Sequence, residues 1–129
     1  MTALTDRLGR ILARAHLARA RAFGTTVLFS RRGASPVTLY AEIPDAAQAL
    51  SAAHGGLHLT EERILRLDVP TGQTGFAYPT GGAEPVTPGD AAVHRGRTYY
   101  VREALRIRAF GHVYTLHCVE RKRLASGAR

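Results

Sequence analysis

Cysteine is nearly missing from this chain: Cys118 stands alone among 129 residues. A single thiol excludes an intrachain disulfide and any zinc site that needs two or more cysteines. Tryptophan is absent. Lysine occurs once, at Lys122, although the chain holds 18 basic residues. A phosphate-binding loop needs a Lys directly after its glycines. The glycine-rich stretch 71–82 therefore does not form one, and nucleotide hydrolysis is excluded as a reading. Long apolar runs are also missing; none approaches the roughly 20 residues that span a bilayer. The first 14 residues already include Asp6, Arg7, Gly9 and Arg10, which interrupt any signal-peptide core. The expectation is cytoplasmic synthesis and no membrane.

What is present describes one globular domain, residues 1–129, with 45% hydrophobic and 22% charged residues. That length buries a real core without metal or disulfide support. The formal net charge is +8 and the pI about 10.8, which favours nucleic acid or an acidic protein surface as a partner. The preference for Arg over Lys, beside abundant Ala, matches the codon usage of a GC-rich genome.

Residues 2–23 read as an amphipathic helix, with Leu4, Leu8, Ile11, Ala15 and Ala22 on one face and Leu12 and Phe23 on its margin. Arg7, Arg10, Arg14 and Arg21 form a narrow stripe beside that face. Arg19 points toward the apolar side, so either its stem snorkels or the face meets a partner. After Gly24 the period changes to two. Strands are expected at 25–30, 37–43, 64–69, 91–94, 97–108 and 113–120, with a short helical turn at 45–53. The β core thus covers 25–120, and 121–129 is a basic tail carrying Arg121, Lys122 and Arg123. Within the core, 70–88 is a long Gly/Pro/Thr-rich loop containing Gly72, Gln73, Gly75, Phe76, Tyr78, Gly81 and Gly82. Loops of that length are usually functional. We expect it to make contacts between subunits or with a neighbour, so that its removal leaves the domain folded. Helix first, then strands without βαβ alternation, predicts a mainly β, α+β fold: a small antiparallel barrel or sandwich with an N-terminal helix.

No reactive constellation accompanies this layout. His54 and His58 have helical metal-ligand spacing, but Gly55 and Gly56 separate them and favour a loop. His117 and Cys118 are strand neighbours whose side chains point to opposite faces, so they do not form a nucleophile pair. Glu61 and Glu62 adjoin Arg63 and Arg66 and read as surface charge pairs. Tyr99, Tyr100 and Tyr114 are interleaved with Arg97, Arg102, Arg106 and Arg108. A base-stacking platform has that composition, and so does a sheet with one Tyr per strand in the core. The reading is a binding protein, without enzymatic activity, cofactor or metal.

The C-terminal half carries a family resemblance. Val86-Thr87-Pro88-Gly89-Asp90, an apolar pair, Arg95-Gly96, Thr98-Tyr99-Tyr100-Val101-Arg102 and a last strand ending in Arg121 resemble the lambda-type head–tail joining (connector or stopper) proteins of tailed phages. The N-terminal helix followed by Gly24-Thr25-Thr26-Val27 is similar to that group as well. Residues 46–84 have no counterpart in the resemblance. Gly89, Asp90 and Gly96 are its turn motif, and such punctuation also occurs in SH3-like nucleic-acid modules. The resemblance implies a structural protein of the virion neck, made in the host cytoplasm. It implies a homo-oligomeric ring, commonly a hexamer, between the portal or adaptor and the tail terminator or tail tube. Genomic double-stranded DNA would pass through its lumen, contacted without regard to sequence. Arg7, Arg10, Arg14, Arg19, Arg21, Arg121, Lys122 and Arg123 are the candidate partner or DNA contacts. A tail terminator or other tail ring, and a free SH3-like or OB-like nucleic-acid-binding protein, are the alternatives.

Overall fold

The computed structural model describes residues 3–44, 62–78 and 84–121. The chain begins with α1, Ala3–Phe23, rich in the strong helix formers Ala, Leu and Arg. Asp6 in its first turn and Arg21 in its last suit the helix dipole. Six strands follow: β1 Thr25–Ser30, β2 Val37–Ala41, β3 Glu62–Pro70, β4 Ala91–His94, β5 Arg97–Arg108 and β6 Val113–Arg121. A 3-10 turn, Ala109–Gly111, joins the last two. All strand pairs are antiparallel, in the order β2-β1-β4-β5-β6-β3.

The expected barrel or sandwich is corrected: the fold is a mixed α+β unit with one six-stranded sheet that does not close. β3 pairs with β6 along its whole length, from Glu62–Arg121 to Pro70–Val113. β2 stops at Ala41, and only Glu42 reaches across to Asp68 in a single isolated bridge. One bridge of two hydrogen bonds, 3.0 and 2.8 Å, is a point of contact and not a ladder. Pro44, three residues beyond the end of β2, has no N–H to extend it.

Period two then places the core. Leu39 and Ala41, Val27 and Phe29, Ala92, Tyr99 and Val101, Leu116 and Cys118, and Leu65, Leu67 and Val69 share one face and form one buried cluster. Their register fits, with Val27 opposite Leu39, Phe29 opposite Ala92, Val101 opposite Cys118, and Leu67 opposite Leu116. Register shifts between Val101 and Glu103, and between Leu105 and Arg108, bulge β5 and increase its local twist.

Segment 71–78 belongs to the fold as well. Phe76 is fully buried, with its ring edge-on to Phe29 at 5.7 Å and to Tyr114 at 5.5 Å. The Gln73 amide accepts from the Tyr40 N–H at 2.8 Å and donates to the Tyr40 carbonyl at 3.0 Å. It thereby occupies backbone groups of edge strand β2, which an edge otherwise leaves open. The expectation that this loop is dispensable for folding is therefore replaced: its first half supplies core. Gly81 and Gly82, the helical turn at 45–53, and His54 and His58 lie outside the described residues.

Candidate interaction surface

The helix meets the body through its smallest residues. Gly9, Ala13 and Ala20 are buried, and α1 touches the 3-10 turn, β2 and β3. The fit at Gly9 is close. A Cβ there would lie 2.2 Å from the His112 ring and 2.8 Å from the Ala109 carbonyl. His112 is buried, donates from Nε2 to Asp6 at 3.1 Å, and stacks on Tyr78 at 3.7 Å. At the far end Arg19 donates two hydrogen bonds to Glu42, at 2.9 and 3.1 Å. That pair raises the Arg19 pKa and ties the helix beside the bridge at Glu42. The Arg19 guanidinium, itself 57% exposed, thus has a carboxylate partner within the chain.

The large apolar residues of the helix are turned outward. Leu4 is 64% exposed, Ile11 51%, Leu8 42% and Leu12 41%, and Phe23 reaches 85%. Arg7, Arg10, Arg14 and Arg21 are exposed along one flank of this strip. Arg10 pairs with Asp6 at 3.1 Å, and Arg21 lies over the Tyr40 ring at 5.4 Å. Arg7 and Arg14 make no ion pair among the described residues. Lys122 and Arg123 lie outside the described residues, and nothing is described of the Arg121 side chain.

The turn motif is structural punctuation. Gly89 and Gly96 have φ of 98° and 78°, the left-handed region open to glycine. Asp90 is buried and accepts from the Thr87 N–H at 2.8 Å, closing the turn before β4. Arg95 shares the left-handed conformation, φ 52°, giving the two-residue hairpin turn that suits strand twist.

Tyr99 and Tyr114 are buried and only Tyr100 is half exposed, so the three do not form a stacking platform. Burial, reinforced by a hydrogen bond to Glu84, holds the Tyr114 hydroxyl protonated well above the usual range. Burial pushes the Cys118 thiol up to about 12, which leaves no thiolate for nucleophilic chemistry at neutral pH. Among the described residues no three metal-ligating side chains cluster, and no helix is long and apolar enough to cross a membrane. A basic cleft of about 340 Å³ lies among Arg63, His94, Arg95, Arg97 and Tyr99. Two of its cations, Arg63 and Arg97, already face Glu120 at 3.7 and 3.2 Å. Arg63 thus makes a contact across the sheet, and the side chains of Glu61 and Glu62, its expected partners, lie outside the described residues.

Burial lowers the pKa of both His94 and His112, with Arg95 adding to the effect at His94; at His112 it outweighs the opposing pull of Asp6. Folding thus favours the neutral form of both, and the buried His112 Nδ1 has no hydrogen-bond partner among the described residues to receive a proton's N–H. Because the unfolded chain binds these protons more readily, stability is fully present above the ordinary histidine value and is lost as pH falls through the lowered folded values. Denaturant midpoints should thus fall between pH 7.5 and 5.5, and a His94→Gln/His112→Gln variant should flatten that slope. A midpoint that stays constant or rises in the parent protein would contradict this.

No protein-family model matches the chain, and no curated protein is significantly similar to it in sequence. The sequence signal for the docking face was the spacing of Gly9, Ala13 and Ala20, overshadowed by the larger residues opposite. Nothing local pointed to the contacts of Arg19 with Glu42 or of Asp6 with His112, which join residues 23 and 106 positions apart.

Proposed function

We propose that this chain is a structural, non-catalytic head–tail joining protein of a tailed phage, acting as a ring in the virion neck. Its partners are further copies of itself, the portal or adaptor on one side and the tail terminator or tail tube on the other. Genomic DNA passes through the lumen and is contacted through phosphates alone. The observation that carries this reading is the outward apolar strip of α1. A free monomer gains nothing from presenting Leu4, Leu8, Ile11 and Phe23 to water, and a contiguous strip of that kind marks an interaction site. The resemblance carried by Gly89, Asp90, Gly96 and the two final strands supplies the identity of the assembly. Burial of Tyr99 and Tyr114 counts against the SH3-like or OB-like rival, which needs aromatic rings facing the bases.

Deleting the gene from its parent phage or prophage tests the role. The expected particles are filled or leaking heads without tails, beside separate complete tails. Normal infectious particles would refute the proposal, and tails of abnormal length would reassign the chain to the tail terminator.

A further inference from the structure

We infer that the outward strip of α1, with its one-sided arginine flank, docks onto a different protein that presents an apolar groove bordered by carboxylates, and that it is not the contact between copies of this chain. The inference rests on the neck reading for where that protein is found, but its chemistry comes from the surface itself.

The helix is already anchored from behind. Gly9, Ala13 and Ala20 seat it, and the Asp6–His112 and Arg19–Glu42 contacts hold both ends. Rotating the helix to bury its leucines would break all of these, so the strip is a built feature of the folded chain. Leu4, Leu8 and Ile11 recur at the spacing of one helical face, and Phe23 extends the strip toward Gly24. Docking them removes apolar area from water, the main driving force of association.

The flank sets the partner's charge. Arg7 and Arg14 carry no internal ion pair among the described residues, and the chain as a whole has a net charge of +8. Among the described residues, a second copy has little to offer them. Among the carboxylates whose side chains are described, all but Glu103 already face an arginine of their own chain: Asp6 with Arg10, Glu42 with Arg19, Asp68 with Arg108, Glu84 with Arg106, Asp90 with Arg31 and Glu120 with Arg97. Two copies meeting through α1 would instead bring like charges together, which disfavours that pairing. DNA would answer the arginines but leave Leu8 and Ile11 in water. A bilayer helix carries basic residues along its polar face with its apolar face in the lipid. Here the face opposite the strip is occupied by the protein, and the free arginines lie on one flank only. An acidic-rimmed apolar groove on another protein satisfies both the strip and the flank.

The test complements the gene deletion with variants and measures the chain in purified particles. Leu8→Gln/Ile11→Gln removes the apolar contact, and Arg7→Glu/Arg14→Glu reverses the flank. Since these side chains are exposed, both variants should melt like the parent protein. Each should enter particles about tenfold less or worse, the scale on which losing interface anchors acts. A photo-crosslinking residue in place of Ala15 should join the chain to one other virion protein, at a segment where apolar residues adjoin Asp or Glu. Normal incorporation of both folded variants, or a crosslink to a second copy or to DNA, would overturn the inference. So would strip-dependent sedimentation of the purified protein with equimolar phosphatidylglycerol and phosphatidylcholine vesicles in place of a protein crosslink. Failure of the neck reading looks different: the parent chain itself would then be missing from the particles.

Discussion

Replacing Phe76 with Ala should destabilise the isolated protein by about 3–5 kcal/mol, the usual cost of emptying a buried aromatic site. Phe76 is 0% exposed and fills the space between the Phe29 and Tyr114 rings, each met edge-on. Both neighbours sit on strands held in register, so neither can collapse into the void without moving its backbone. The segment that carries Phe76 is fixed as well: Thr71 donates to the His112 carbonyl at 2.8 Å and Gln73 binds Tyr40. The loss should appear as a lower denaturant midpoint with little change in slope. Phe110→Ala is the control, because Phe110 is 50% exposed and should lose about 1 kcal/mol or less. Equal effects of the two substitutions would mean that segment 71–78 does not supply core.

Gly9→Val should release the helix from the body. A Cβ at this position would lie 2.2 Å from His112 Cδ2, and the ring cannot swing aside because Tyr78 stacks on it. The second obstacle, the Ala109 carbonyl 2.8 Å away, is backbone of a turn in which Ala109 and Phe110 both have positive φ. Removing a mid-helix glycine returns at most about 1 kcal/mol of helix propensity. Overpacking a tight contact costs about 1–3 kcal/mol, so the clash decides the sign. The expected result is a net loss of stability, with amide exchange accelerated in Ala3–Phe23 while β5 and β6 stay protected. Exchange in α1 at the parent rate would show that the close approach at Gly9 is not what seats it.

The legible parts of the fold were those written in local patterns. Alternation placed β1, β4, β5 and β6, and Gly96 marked the hairpin turn, because a strand's faces and a left-handed turn are set by neighbouring residues. The closure of the sheet was not legible. It depends on how far β2 runs beside β3, and β2 ends at Ala41 with only Glu42 bridging to Asp68. Phe76 was read as loop since one aromatic among Gly and Thr has no period. The orientation of the helix stays open in the sequence for a physical reason: periodicity reports where large apolar residues lie, whereas close docking selects small ones. Arg7, Arg10, Arg14 and Arg21 are exposed, whereas Arg19, outside that stripe, meets a carboxylate 23 residues away that no local pattern reveals.

Cryo-electron microscopy of the native particle, with this chain identified by an epitope-tagged copy, tests the neck proposal directly. The expected density is a ring of this chain around the DNA channel between head and tail, with the outward strip of α1 covered by a different protein. Particles whose neck density contains no copy of this sheet and helix would contradict it.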